Sequence, residues 1–427
     1  MFIYLKSTAL KNAFILSAGT IVGQAIPILL QPLLRRLFSI EEFGTYAIYT
    51  SVFGVIVVLS SLRYEMAIMQ PKHDNEAANV LSLSLFINVV FCLLLFLVIY
   101  FLKSHILKLL SFPDKYSHWL YLAPISVFLF GSFRAINFWL IRKKAFKFSS
   151  YNKIYRRGGE AISQIIFGFS KSNSGLVISE IVGNSVNVLS GVYYLLKKNF
   201  RISMLSRRKV YFVAKKYSAF PKYNTIPSFL DIASLQLPII IINHYYTKAD
   251  VAQFDLSRMI LSVSLVLIGT SISQVIQQKV AEEKNSGLSI KKDFKSMLIF
   301  LTIISIVQIV VIIFFAPFIF KIFFGEKWKI AGELSQILIF SYVAKFIVSP
   351  LSIIFVSLEK ILVYSIWQYS YFFSIMLLWF LGNLSLTNFL YIYVSIEVVL
   401  YSICLLLLYK IITEYERSII ANTTSLS

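Results

Sequence analysis

Apolar residues recur along this chain in runs long enough to cross a bilayer, and little is left between them. A helix spanning the hydrocarbon needs about 20 apolar residues. Twelve candidate spans, with soft edges, reach that length: 12–34, 44–69, 78–102, 117–141, 152–170, 176–196, 222–243, 251–276, 297–323, 334–357, 361–383 and 386–409. The fifth, YNKIYRRGGEAISQIIFGFS, is the weakest because its first half is polar. Charged residues make up only 14% of the chain and hydrophobic ones 58%, against roughly 25% charged in soluble proteins. The linkers are too short for a soluble domain of ordinary size, so the chain reads as one all-α polytopic membrane protein. Its first run follows Lys6 and Lys11. That run exceeds a signal-peptide core, lacks a small-x-small cleavage site and leads at once into further spans, so it reads as a retained helix.

A net charge of +21 invites a nucleic-acid reading, but the placement of the charge argues otherwise. With a cytoplasmic N-terminus, the loops RKKAFKF, NKIYRR and KKNFRISMLSRRKVYFVAKKYSAFPK and the segment 279–295 all fall on the cytoplasmic side and hold most of the Lys and Arg. This is the positive-inside asymmetry, and it sets both termini in the cytoplasm. The basic loops then act as orientation signals and headgroup contacts, with no nucleic-acid partner. Cys92 and Cys404 each lie within an apolar run, and His73, His105, His118 and His244 are scattered. Neither set has the spacing of a disulfide framework or a metal site. GxxxxGK[ST], GxSxG and HExxH do not occur, so neither an ATPase motor nor a recognisable hydrolase is encoded.

The two halves rhyme. Pro27 and Pro32 interrupt the first span, Pro227 and Pro238 the seventh, and each span leads into a similar turn. LFSIEEFGTYAI (37–48) lines up without gaps on YYTKADVAQFDL (245–256), matching Ser39 with Thr247, Glu42 with Asp250 and Tyr46 with Phe254. Ser or Thr followed three residues later by an acid also marks a helix start, so two independent caps would look alike; the proline-broken span before each favours duplication. Repeating six spans, an even number, predicts two six-helix lobes related by a pseudo-two-fold axis along the membrane normal. The expected organisation is a lobe over 1–200, a basic cytoplasmic linker over 201–221 and a second lobe over 222–427. Interrupted helices expose backbone only to a cavity, and the prolines of spans 1 and 7 and SPLS (349–352) are the expected breaks.

Several charges lie at membrane depth, where each costs about 2.5–3.5 kcal/mol on insertion scales. Arg63 and Glu65 interrupt LSSLRYEMAIMQP, Arg134 lies in GSFRAINFWLIRKK, and Arg258 follows Asp255 by three residues. Lys345 is central in SYVAKFIVSP, Glu397 in YVSIEVVL, and Asp231 precedes Pro238 in the seventh span. Each has a plain structural reading beside a functional one. Arg63 and Glu65 suit snorkelling to headgroups, Asp255–Arg258 suits an internal pair, and Arg156, Arg157 and Glu160 suit the interfacial start of span 5. Lys345 is the hardest to explain that way, being far from both surfaces. Buried cations spread over both halves suit a cavity for an anion that must cross.

LFSIEEFGTYAIYTSVFGVIVVLSSLRYEMAIMQPKHDNEA resembles the opening of the Wzx-type polysaccharide flippases of the multidrug/oligosaccharidyl-lipid/polysaccharide exporter superfamily. FAPFIFKIFFGEKWKIAGELSQILIFSYVAKFIVSPLSIIF (315–355) is similar to that family around spans 9 and 10, and GLVISEIVGN (175–184) to its sixth span. The resemblance covers essentially the whole chain. It implies a V-shaped bundle of two lobes and alternating access. The cargo it implies is an undecaprenyl-pyrophosphate-linked oligosaccharide repeat unit, moved from the cytoplasmic to the periplasmic leaflet of the bacterial inner membrane for O-antigen (lipopolysaccharide) or capsule. Under that reading Arg63, Arg134, Arg258 and Lys345 line a substrate cleft, and Tyr64, Trp139 and Trp367 are candidates to stack on sugars. Glu65, Asp231 and Glu397 are the candidates for coupling to a proton or sodium gradient. No cofactor is expected; the partners are the lipid-linked glycan, the bilayer and the polymerase of the same route. The alternatives are a drug/cation antiporter of the same superfamily, which should favour buried acids, and a polysaccharide polymerase or ligase, which should carry a large periplasmic loop.

Overall fold

In the computed structural model, which describes residues 8–197, 200 and 202–424, every regular element among the described residues is helical. Lys6 and, in the basic linker, Lys198, Asn199 and Arg201 lie outside the described residues. The first part of the chain forms α1 (Thr8–Leu37), α2 (Ile40–Ile56), the single turn α3 (Tyr64–Ala67), α4 (Asp74–Leu109), α5 (Trp119–Arg142), α6 (Phe146–Phe169) and α7 (Gly175–Lys197). A short α8 (Arg207–Lys216) leads to α9 (Ala219–Tyr245). There follow α10 (Lys248–Ser264), α11 (Thr270–Asn285), α12 (Lys291–Phe324), α13 (Lys329–Leu351), α14 (Ile353–Ser357), α15 (Ile361–Met376) and α16 (Leu386–Thr424). Joining α10 to α11 and α13 to α14, the long helices follow the order of the expected spans. Nine helical stretches among the described residues are long and apolar enough to cross a membrane. α1, α2, which ends after 17 residues, and α6, with its polar first half, are not among them.

The chain divides into two compact units, one running to His244 and the other starting at Tyr245. Within the first, 56% of the apolar stretch of α5 is buried against 17% for α4; within the second, 61% for Glu326–Ser357, which contains α13, against 11% for α12. α5 and α13 are therefore the enclosed helices of their units, and α4 and α12 present their apolar sides outward, as a lipid-facing helix must. The α12–α13 pairing depends on Gly332, where a Cβ would stand 2.6 Å from Pro317 Cα and 2.7 Å from the Ala316 carbonyl oxygen. Gly332→Val should force these backbones apart at a cost of about 1–3 kcal/mol, read as a lowered thermal unfolding midpoint in detergent.

The repeat is deeper than its turn motif. Ser39 Oγ accepts from the Glu42 amide (3.2 Å) while the Glu42 carboxylate accepts from the Ser39 amide (2.8 Å). Thr247 and Asp250 form the same reciprocal cap at 3.1 and 3.0 Å. The two helices so capped, α2 and α10, have the same 17-residue length. The gap-free alignment of the turns carries both ends of α2 onto both ends of α10. Each then departs from α geometry: turns follow Ile56 as far as Arg63, and a π-helical stretch over Leu265–Gly269 follows Ser264. A second rhyme lies further on. The 3-10 turns Asp114–Tyr116 and Glu326–Trp328, acid-Lys-aromatic in both, precede α5 and α13 and bury their aromatic ring. Two chance caps would not reproduce this; duplication does.

The breaks fall elsewhere than expected. α1 and α9 run through their prolines without interruption, since a proline removes one backbone donor and packed neighbours can satisfy what it frees. SPLS behaves as predicted: α13 stops at Leu351, just after Pro350. Span 2, read from the sequence as continuous over 44–69, is broken with no proline near the break. Leu62 and Arg63 adopt left-handed φ values of 48° and 62°, a conformation that costs a non-glycine residue roughly 1–2 kcal/mol.

Candidate functional site

A cluster of charges lies beside that break. α3 turns Glu65 into the interior, where it is fully buried. Ser61 Oγ donates to its Oε2 at 2.5 Å, Arg134 Nη2 on α5 lies 2.7 Å from its Oε1, and Arg63 Nη1 lies 3.5 Å from the same oxygen. The side chains of Arg63 and Arg134 keep 17% and 18% of their surface exposed. Two guanidinium groups thus share one carboxylate, leaving an excess positive charge whose bearers are not sealed in.

In the second unit α13 and α16 build a more balanced pair. Lys345 Nζ lies 2.6 Å from Glu397 Oε1, with Glu397 fully buried and the Lys345 side chain 11% exposed. Tyr371 donates its hydroxyl hydrogen to Glu397 Oε1 at 2.5 Å, and Lys345 donates to the Tyr393 hydroxyl at 3.4 Å. The ammonium also stands 5.0 Å from the Tyr342 ring centroid and 5.8 Å from that of Tyr393. Arg134 and Lys345 occupy the enclosed helices of their units at nearly the same distance beyond the paired 3-10 turns. The cation recurs between the halves; its acid does not, coming from α3 in one and α16 in the other.

The structure therefore brings together Arg63, Glu65 and Arg134, and separately Lys345 and Glu397. Arg258 Nη2 lies 3.5 Å from Asp255 Oδ1, one turn away on α10, with both side chains part-exposed. Asp231 is an exposed residue of α9 and does not take part in the ion pairs of Glu65 or Glu397. The aromatic candidates are corrected. Tyr64, Trp139 and Trp367 are all buried; the Tyr64 hydroxyl donates to the Ala214 carbonyl and the Trp367 indole to the Leu400 carbonyl, both at 2.8 Å. Each ring is packing surface within its unit, so none is available to stack on a sugar.

Arg156, Arg157 and Glu160, expected at the start of span 5, are preceded by ten helical residues of α6. They lie in the middle of α6, with Glu160 buried and 2.9 Å from Arg157 Nη1. The Arg156 guanidinium stands over the Phe130 ring at 5.3 Å, and its Nε is buried without a hydrogen-bond partner among the described residues. Tyr46 donates to Glu180 of α7 at 3.4 Å. Glu180 lines a cavity of about 140 Å³ with Tyr49, Thr50, Ser126 and Phe130. Glu180 stands within GLVISEIVGN, and its signal in the sequence is an acid in the middle of an otherwise apolar span.

The profile of a family described as "Polysaccharide biosynthesis protein" matches residues 33–333. The chain belongs to this family of polysaccharide biosynthesis proteins. Among solved structures it is similar to an inward-facing multidrug resistance MATE family transporter of the MOP superfamily (14% identity, 93% of this chain and 99% of that one, TM-score 0.73). The outward-facing conformation of a multidrug resistance MATE family transporter also matches (13% identity, 95% and 96%, TM-score 0.65). So does a MOP superfamily transporter from Pyrococcus furiosus, described as having a binding pocket of reverse polarity (14% identity, 95% and 96%, TM-score 0.60). A search of curated proteins returns no match. This polysaccharide biosynthesis protein thus has the fold of the MOP superfamily transporters, and its apolar helices make it a multi-pass membrane protein. The resemblance drawn from its motifs holds at the level of family and of fold.

Proposed function

We propose that this family member is a flippase: it carries an undecaprenyl-pyrophosphate-linked oligosaccharide repeat unit from the cytoplasmic to the periplasmic leaflet of the bacterial inner membrane by alternating access, supplying O-antigen or capsule. The observation that carries the proposal is the two-to-one cluster of Arg63 and Arg134 on the buried Glu65. An apolar bundle holding a net cation that keeps some exposure suits a pyrophosphate. The need for a protein is set by the sugars, since each hydroxyl taken unpartnered into hydrocarbon costs about 4–8 kcal/mol. The lipid tail needs no such shelter. On this reading Arg258 and Lys345 are the residues of the second unit that would meet an anionic cargo. Coupling to a proton or sodium gradient runs through carboxylates able to exchange partners, Glu65 and Glu397, together with the exposed Asp231; unimpaired transport after neutralising all three removes that part.

A second reading, export of a cationic drug, is suggested by the multidrug transporters that share the fold. The charge balance opposes it, because cations match or outnumber acids in both clusters. A strain lacking the protein decides between them. The expected outcome is accumulation of lipid-linked repeat units on the inner leaflet, with drug sensitivity unchanged. Drug sensitivity without a glycan defect selects the antiporter, and short unpolymerised units at the cell surface select a polymerase.

A further inference from the structure

The stretch RRKVYFVAKK that forms α8 carries five cations and no acid. Its rotation about its own axis is set by the unit beneath it. Val213 is buried in a core that includes Leu81 and Trp139, with Val210, Ala214 and Tyr217 packed against that core. The Tyr64 hydroxyl donates to the Ala214 carbonyl at 2.8 Å. Lys216 Nζ lies 2.5 Å from Glu76 Oε1, to which Tyr217 also donates at 2.9 Å. Just before the helix, Asn79 donates to the Met204 carbonyl and accepts from the Ser206 amide. The Glu76 carboxylate holds the Lys216 ammonium above the usual lysine range, so this anchor stays charged.

With Val210, Val213, Ala214 and Tyr217 facing inward, helical periodicity turns the stripe Arg208, Tyr211, Phe212 and Lys215 outward, and all four are exposed. Tyr211 and Phe212 leave 75% and 58% of their surface uncovered. Water is a poor neighbour for two adjacent aromatic rings, and hydrocarbon is a worse one for an arginine and a lysine. The headgroup layer of a bilayer accepts both, since aromatic rings favour that depth and cations there are drawn to anionic lipid. We propose that this outward stripe of α8 is a docking site for the anionic headgroups of the bilayer in which the protein sits. Charge complementarity selects that occupant: a zwitterionic surface would satisfy the rings but not Arg208 and Lys215.

The test uses the full chain in vesicles of phosphatidylcholine alone or mixed with phosphatidylglycerol. A polarity-sensitive fluorophore is attached at Lys209→Cys, beside the stripe; Cys92 and Cys404 are buried free thiols. The emission is expected to shift to the blue when phosphatidylglycerol is present and to revert in high salt. The double variant Arg208→Glu/Lys215→Glu should lose the shift with its helix content, read by circular dichroism, unchanged. Identical spectra in the two vesicle types, or a shift that survives the charge reversal, would overturn the proposal. No glycan enters the measurement, so its failure is separate from failure of the flippase reading.

Discussion

Arg134→Ala is expected to lose transport and to destabilise the protein by about 3 kcal/mol, the lower end for breaking a buried ion pair, because Arg134 keeps 18% exposure. The cost arises at Glu65, which stays fully buried with Ser61 and the more distant Arg63 as its remaining polar neighbours. Thermal unfolding in detergent should show it as a lowered midpoint. Arg63→Gln separates the fold from the function. At 3.5 Å its ion pair is the weaker one, so the stability change should be small, yet the excess positive charge disappears. Transport should then fall tenfold or more, the loss expected from one charged hydrogen bond of about 1.5–3 kcal/mol. Flux of a lipid-linked oligosaccharide across reconstituted vesicles measures it. Normal flux in Arg63→Gln would remove the cationic cluster from the mechanism.

Lys345→Met should be at least as damaging to the fold, at about 3–5 kcal/mol. It strands Glu397, fully buried on α16, with Tyr371 as its hydrogen-bonding partner. Lys345→Met/Glu397→Leu removes both charges, and replacing a buried pair with apolar groups of similar volume is often neutral. The double variant is therefore expected to regain most of the unfolding midpoint while transport stays low. Full transport in that variant would assign the pair to the architecture of the second unit alone.

Both clusters were announced in part by the amino-acid order. That Arg63, Glu65, Arg134, Lys345 and Glu397 are unusual was plain from their depth within apolar runs. Their pairing was not, because Arg134 reaches Glu65 from another helix and Lys345 reaches Glu397 from a helix two spans earlier. The position of the Arg156–Arg157–Glu160 group within its helix was hidden for a related reason. Polar residues at the start of an apolar run gave no sign that α6 begins earlier, at Phe146, with α1 and α7 packed along it. The break at Leu62 and Arg63 carries no proline or glycine to mark it; just beyond it Glu65 meets Arg134 of α5, a partner distant along the chain.

Local physics was enough for the rest. Hydrocarbon cannot hydrogen-bond a peptide group, so runs of about 20 apolar residues are committed to helix before any packing is known. The Ser39–Glu42 and Thr247–Asp250 caps likewise involve groups three residues apart, which is why helix starts and the internal repeat were visible in the order of residues. Tertiary structure decided which charge meets which, which of Tyr64, Trp139 and Trp367 stay accessible (none), and which side of α8 faces outward. Those outcomes depend on contacts between segments distant along the chain, where neighbouring helices supply the partner or the cover.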